Sequence, residues 1–95
     1  MQLQSKFDRE KNVYHPGPLF EENLNFMFEK ISSENLLEKE LGMYLFCENR
    51  ITIGRVATVK EKMPEIISKY VVPQLGSTAV MIRAKALDML FEFGR

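Results

Sequence analysis

YVVPQLGSTAVMIRAKALDMLFEFGR, residues 70–95, is the most informative stretch of this 95-residue chain. A helix is predicted to end at Pro73, because proline lacks the N–H that a helix interior needs. A turn over residues 74–77 leads into a helix over about residues 78–93. That helix is apolar on two sides, with Ile82, Ala86, Met89, Leu90 and Phe93 on one and Ala79, Val80, Ala84, Leu87 and Phe91 on the other. A helix of this kind must pack against neighbouring elements on both of its apolar sides. This predicts a layer in a stack of helix pairs, and so a binding surface rather than a reaction centre.

Size and charge restrict the class of protein. Ninety-five residues make one small domain or one piece of a larger array. Thirteen basic and thirteen acidic residues cancel, which argues against nucleic acid or an anionic membrane surface as a partner. No apolar run approaches the ~20 residues of a membrane span, and the polar start lacks the apolar core of a secretion signal. A single cysteine, Cys47, fits an intracellular, reducing compartment.

Apolar periodicity predicts three further helices. Residues 1–17 show no sustained period and are expected to form an irregular lead-in. Helices are then predicted over residues 18–31, 35–48 and 60–72. In the second of them, one face is expected to carry Leu37, Leu41, Tyr44, Leu45 and Glu48. A glycine inside that helix, Gly42, suggests the close approach of a neighbouring helix backbone.

Residues 51–59, ITIGRVATV, leave two structures open. Their β-branched content is typical of a strand, but a single strand has no partner elsewhere in the chain. We therefore favour a continuation of the second helix or an irregular connection. The resulting fold class is all-α, with two stacked antiparallel helix pairs of HEAT or armadillo type. The two pairs begin near Pro18 and Lys60, a separation close to the ~40–47-residue period of those repeats. An ordinary four-helix bundle is the alternative.

Two segments carry a resemblance to a known family. KYVVPQLGS (residues 69–77), followed by MIRAKALDMLFEF (residues 81–93), resembles the importin-β superfamily, especially the large importins and the related cellular-apoptosis-susceptibility exportin. Those proteins carry a V-x-P-x-L/F-x-S turn and an L-R-A-R-A helix, with Ile82 here at the leucine position and Lys85 at the second arginine. EKELGMYLF (residues 38–46) is similar to their K-K-D/E-G-A-L-Y-x-I helix. The family's G-S after that helix is replaced here by CENR (residues 47–50).

The resemblance implies a segment of a nuclear transport receptor, made of about two HEAT repeats over residues 18–95. It implies the small GTPase Ran, Phe-Gly repeats of nucleoporins and cargo proteins as partners, and the cytoplasm and nucleus as the location. A whole receptor is many times longer. A fragment, a degenerate reading frame and a small protein that kept two repeats all remain open. Repeat ends without polar caps would expose apolar surface and favour self-association.

No residue pattern indicates catalysis or a bound cofactor. The only histidine, His15, lies in a proline-glycine turn, far in sequence from Cys47, so no nucleophile–base pair is expected. Structural zinc needs four nitrogen or sulfur ligands, so no metal site is expected. The five glycines are scattered and none opens a phosphate-binding loop. We therefore expect no enzyme, no cofactor, no nucleic-acid binding and no membrane insertion.

Four residues are the candidates for protein binding: Phe26, Tyr44, Arg83 and Lys85. Phe26 falls off the apolar face of its helix and would touch an adjacent repeat, a partner or the N-terminal lead-in. Arg83 is expected to bond to an acidic residue or a carbonyl of the adjacent repeat, as the arginine ladder of HEAT stacks does. Grooves between stacked helices would accept Phe-Gly side chains or a partner helix. The alternative function is a self-associating helical adaptor or scaffold unrelated to transport, and a small enzyme ranks third.

Overall fold

A two-stranded hairpin precedes a series of helices in residues 2–93, the part of the chain that the computed structural model describes. The elements are β1 (Ser5–Asp8), β2 (Val13–Pro16), α1 (Phe20–Ile31), α2 (Leu36–Glu48), α3 (Arg50–Arg55), α4 (Ala57–Lys60), α5 (Met63–Ile66), a π-helical turn (Ile67–Val71), a 3-10 helix (Val72–Gly76) and α6 (Val80–Phe93). The predicted all-α class is confirmed, with a small antiparallel sheet added to it. A continuing superhelix of such pairs stays a prediction.

The hairpin corrects the expectation of an irregular lead-in over residues 1–17. β1 and β2 pair antiparallel, with Phe7 opposite Tyr14 and their ring centroids 5.0 Å apart. The guanidinium of Arg55 in α3 lies 4.9 Å from the centroid of the Tyr14 ring. Strands of four residues are too short to show a sustained alternation, and this tertiary contact is invisible in a linear pattern. No pattern in the sequence is therefore strong enough to predict the hairpin.

Asp8 and Asn12 shape the turn between the two strands. The Asp8 carboxylate accepts hydrogen bonds from the backbone N–H groups of Glu10 and Lys11, at 3.0 and 3.2 Å. Asn12 has a φ of 56°, in the left-handed region that asparagine enters more easily than most residues. The turn thus uses residue types that stabilise tight reversals.

α1 and α2 form an antiparallel pair. Phe28 of α1 meets Phe46 of α2 edge to face, at 5.7 Å between ring centroids, while Ile31 lies against Gly42. As the residue number falls along α1 it rises along α2, which is the antiparallel arrangement. The turn between them ends at Asn35, whose side chain accepts hydrogen bonds from the N–H groups of the first turn of α2. The close approach predicted at Gly42 is confirmed.

The buried face of α2 differs from the predicted one. The helix buries Lys39, Gly42, Met43, Leu45 and Phe46. Of the residues predicted to share a face, only Leu45 is buried, while Leu37, Leu41, Tyr44 and Glu48 are exposed. The reason is packing, because the small Gly42 lets α1 approach on its side of the helix. Lys39 tolerates burial since its Nζ donates to the carbonyl of Ile31, at 3.0 Å, at the negative end of α1.

Residues 50–60 are helical, which confirms that ITIGRVATV forms no strand. α3 and α4 are separated at Val56, whose extended backbone (φ −99°, ψ 105°) interrupts the helix. Ile53, Val56 and Val59 are all buried at a spacing of three residues. Their β-branched side chains are therefore all part of the core.

The third predicted helix continues further than expected. It begins at Met63 with Pro64 in its first turn, as predicted. Instead of ending at Val72, the chain widens into the π-helical turn and then tightens into the 3-10 helix, which includes Pro73. Proline lacks an N–H donor and its ring would clash with the carbonyl four residues back. The change of hydrogen-bonding pattern accommodates it without a break.

α6 runs in the same direction as α2. The Lys85 ammonium of α6 lies over the Tyr44 ring of α2. One to two turns further along the chain in each case, Arg50, just after the end of α2, pairs with Glu92 of α6. Because the residue numbers increase on both sides from the first contact to the second, the two helices run parallel. α2 and α6 therefore lie side by side and point in the same direction.

Only one of the two apolar sides of α6 faces the core. Ile82, Ala86 and Met89 are buried there. On the other side Val80, Leu87 and Phe91 are 62%, 57% and 67% exposed. The expectation that this helix is covered twice is therefore wrong within residues 2–93, because no further helix pair follows α6 in the described chain.

Candidate protein-binding groove between α2 and α6

A surface groove runs between the two parallel helices. It has a volume of about 360 Å³ and is lined by Leu37, Glu40, Leu41, Tyr44 and Lys85. Leu37, Leu41 and Tyr44 follow one another at spacings of four and three residues, so they form one stripe along α2. Leu37 is 78% exposed, an unusual exposure for a leucine in an ordered helix. We call this surface the α2–α6 groove.

A cation–π contact forms one wall of the α2–α6 groove. The Nζ of Lys85 lies 5.2 Å from the centroid of the Tyr44 ring. Such a contact contributes on the order of 0.5–1 kcal/mol at an exposed site.

The C-terminal side of the same helix interface is polar. The Nε of Arg50 and the Oε2 of Glu92 form an ion pair at 3.1 Å. Between this pair and Tyr44 lies Cys47, where burial raises the pKa of the thiol to about 11, helped by the negative charge of Asp88. A thiol with so high a pKa is a poor nucleophile at neutral pH. The interface therefore suits side-chain packing rather than covalent chemistry.

The structure brings two of the four predicted binding residues together. Tyr44 and Lys85 are in contact in the α2–α6 groove. Phe26 lies elsewhere, on α1, with the Nζ of Lys30 5.1 Å from its ring centroid. The contact that the structure gives Phe26 is thus with its own helix.

The expectation for Arg83 is corrected. Its Nη1 donates to the carbonyl oxygen of Ser77, at 3.3 Å, in the turn that precedes its own helix. Helix side chains lean toward the N-terminus, so an arginine one turn into a helix reaches back to that turn more easily than across to another pair. Arg83 therefore stabilises the start of α6 and forms no ladder to the adjacent pair in this structure.

Leu37 and Leu41 are the functional candidates that sequence reasoning missed. The sequence placed them on one face of the helix with Leu45 and did not propose them as binding residues. A signal was nevertheless present, since Gly42 was correctly expected to meet a neighbouring backbone. A helix that turns Gly42 toward α1 cannot bury Leu37 on the same side, because the two residues lie about 140° apart around the axis.

A second cavity lies between α1 and the segment that contains α5 and the π-helical turn. Its volume is about 210 Å³ and it is lined by Phe28, Lys62, Glu65, Ile66, Lys69 and Tyr70. Two lysines at an aromatic wall would accommodate an acidic side chain. Lys69 already interacts with Tyr70, its Nζ lying 5.4 Å from the ring centroid.

His15 belongs to the hairpin and not to a catalytic arrangement with Cys47. Its Nε2 lies 3.2 Å from the Oδ2 of Asp8. The backbone hydrogen bond from Lys11, more than the contact with His15, lowers the pKa of the Asp8 carboxyl. Within residues 2–93 no group of three or more His, Cys, Asp or Glu side chains is placed to hold a metal ion. Over the same residues, no helix combines the length and hydropathy that crossing a lipid bilayer requires.

No protein-family model, no curated protein and no solved structure matches the chain.

Proposed function

We propose that this chain is a protein-binding helical module, a segment of an importin-like or exportin-like nuclear transport receptor that acts in the cytoplasm and nucleus. The observation that carries the proposal is the α2–α6 groove, an exposed apolar stripe beside a cation–π pair, between two parallel helices. The sequence resemblance supplies the partner class. Phe-Gly repeats of nucleoporins, Ran and cargo proteins are the partners proposed on that ground.

A phenylalanine side chain suits the chemistry of the α2–α6 groove. Its ring would pack between Leu37 and Leu41 and against the edge of the Tyr44 ring. Burying one such side chain contributes roughly 2 kcal/mol, so a single site binds weakly. Repeated Phe-Gly motifs would raise the apparent affinity by presenting several copies on one chain.

The test is an NMR titration of the ¹⁵N-labelled chain with a Phe-Gly repeat peptide, with a Ser-Gly peptide of the same length as the control ligand. We expect the amide shifts of α2 and α6 around Tyr44 and Lys85 to move with the Phe-Gly peptide alone. Leu41→Glu should abolish those shifts, because it places a charge in the apolar stripe. Phe26→Ala, a change to an exposed aromatic residue outside the groove, should leave them intact. Equal shifts with both peptides would contradict the proposal.

A pull-down with Ran-GTP tests the second proposed partner. The alternative function is a helical adaptor or scaffold unrelated to transport, and the exposure of Val80, Leu87 and Phe91 on α6 favours it. Binding to neither Ran-GTP nor the Phe-Gly peptide, together with a stable, monodisperse dimer, would support the adaptor.

A further inference from the structure

The outer side of α6 carries a regular apolar stripe. Val80, Ala84, Leu87 and Phe91 follow one another at spacings of four, three and four residues, and all four are exposed. This is the spacing of the seam in a coiled coil. The stripe lies opposite the buried side of α6 and apart from Lys85, so it is a different surface from the α2–α6 groove. We call it the α6 outer stripe.

The N-terminal arm, residues 2–18, contacts α2 on the side that faces away from α6. The N–H of Leu3 donates to the Oδ1 of Asn49, at 2.7 Å, and the Nδ2 of Asn49 donates to the carbonyl of Leu45, at 2.8 Å. Leu3 itself is 4% exposed. Leu45 is two residues from Cys47, which faces α6, and residues two apart on a helix point to nearly opposite sides. The arm therefore packs against the C-terminal end of α2, on the side that faces away from α6.

Covering one side of the layer restricts how copies can associate. Head-to-tail stacking would place the α6 outer stripe of one copy on the α2 side of the next, where the arm lies. A heterologous contact of that kind would also continue into an open filament. Face-to-face contact between two α6 helices needs no surface other than the stripe itself, and it closes after two copies.

We propose that two copies of this chain pair through the α6 outer stripe around a two-fold axis, with their α6 helices antiparallel. In that register Ala84 faces Leu87 of the partner subunit, and Val80 faces Phe91 of the partner subunit. Each contact sets a smaller side chain against a larger one, so the stripe is complementary to itself. The small Ala84 lets the two helices approach closely enough for knobs-into-holes packing.

The apolar area is sufficient for a moderate interface. Val80, Met81, Leu87 and Phe91 are each more than half exposed. Side chains of this size bring on the order of 400 Å² of apolar surface per copy, about half of the ~800 Å² per partner in a standard interface. The polar flanks of α6, including Arg83 and Asp88, supply the remainder as a rim.

Sedimentation equilibrium of the 95-residue chain over a range of concentrations tests the pairing. We expect the mass of two copies at about 100 µM, with a dissociation constant on the order of 10 µM. Leu87→Glu should raise that constant at least ~10-fold, because the pairing would bury an uncompensated carboxylate. Leu37→Glu is the control, since it alters an even more exposed leucine, in the α2–α6 groove, and should leave the pairing unchanged.

Circular dichroism separates lost pairing from lost folding, and Leu87→Ala provides a milder second variant with the same expected direction. A folded wild-type chain that stays monomeric at 100 µM would overturn the proposal. So would a dimer that Leu87→Glu leaves intact, or a mass that keeps rising with concentration, as in head-to-tail association. Binding of Phe-Gly peptide is read from α2 shifts and does not depend on this result.

Discussion

Gly42 of α2 lies directly against the backbone of Ile31, the last residue of α1. A Cβ atom placed on Gly42 would lie 2.7 Å from the Cα of Ile31 and 2.8 Å from the carbonyl carbon of Lys30. Backbone atoms cannot move aside as the end of a flexible side chain can. The absence of a side chain at this position therefore sets the distance between the two helices of the first pair.

Replacing this glycine should destabilise the fold. We expect Gly42→Ala to lower the free energy of unfolding by about 1–3 kcal/mol, because the added methyl group forces α1 and α2 apart. Gly54→Ala is the control, since a Cβ on Gly54 would meet nothing within 4 Å. That variant should gain up to ~1 kcal/mol from the better helix propensity of alanine. Urea denaturation followed by circular dichroism measures both, and equal effects of the two changes would contradict the steric explanation.

Gly42 also shows which features of α2 the sequence could predict and which it could not. A glycine within a strong helix pattern is a local signal with one main physical cause, and the close approach inferred from it is confirmed. The side on which the helix then buries its leucines depends on where α1 and α6 lie, which is tertiary information. The prediction therefore failed for Leu37 and Leu41 although the helix itself was placed within one residue of its observed start.

The side chain of Asn35 supports the first turn of α2. Its Oδ1 accepts hydrogen bonds from the N–H groups of Leu37 and Glu38, at 2.9 and 3.2 Å. We expect Asn35→Ala to cost about 1 kcal/mol, the usual effect of removing an N-cap. Asn25→Ala, at an exposed position inside α1, should be neutral or slightly stabilising because alanine is the better helix former. A thermal melt measures both, and an unchanged melting temperature for Asn35→Ala would contradict the capping role.

Glu38 should titrate below the usual range of a glutamate. The hydrogen bond from the Ser33 hydroxyl, at 2.6 Å, lowers the pKa of the Glu38 carboxyl, with a further contribution from the Lys30 ammonium at 2.9 Å. Its contribution to stability is therefore present above the unfolded pKa of the group and is lost as the pH falls through the folded pKa.

An NMR titration of the side-chain carboxyl carbons measures that pKa. Ser33→Ala removes the largest cause, so the pKa of Glu38 should rise toward 4.5, the ordinary value of a glutamate carboxyl. Ser68→Ala changes an exposed serine away from this contact and should leave the titration unchanged. A pKa of Glu38 that does not respond to Ser33→Ala would show that the hydroxyl does not stabilise the carboxylate.

At the candidate site, too, the sequence indicated individual residues on single helices but not the contacts between distant residues. Tyr44 and Lys85 were singled out separately, each from its own helix, and the structure brings them into contact. Arg83 was assigned a contact in another helix pair, yet its side chain reaches only the turn before α6. The hairpin over residues 5–16 depends on Arg55, more than thirty residues away, and no local pattern carries such a contact.

Cys47 should react slowly with alkylating reagents in the folded chain. Burial, and to a smaller extent the charge of Asp88, raises the pKa of its thiol to about 11. At pH 8 the reactive thiolate should be roughly 200-fold scarcer than for an unperturbed cysteine with a pKa of about 8.5. The alkylation rate with iodoacetamide, followed by mass spectrometry, should rise steadily as the pH approaches 11.

The same pKa shift fixes the sign of the effect on stability. The unfolded chain loses the Cys47 proton at a lower pH than the folded chain, so rising pH favours unfolding once it passes the unfolded pKa. Asp88→Asn should speed alkylation at pH 8 by lowering the pKa, whereas Glu22→Gln, at an exposed carboxylate of α1, should not. Urea should restore the ordinary cysteine rate. Alkylation of the folded chain as fast as that of the urea-unfolded chain would mean that the interface between α2 and α6 does not enclose this thiol.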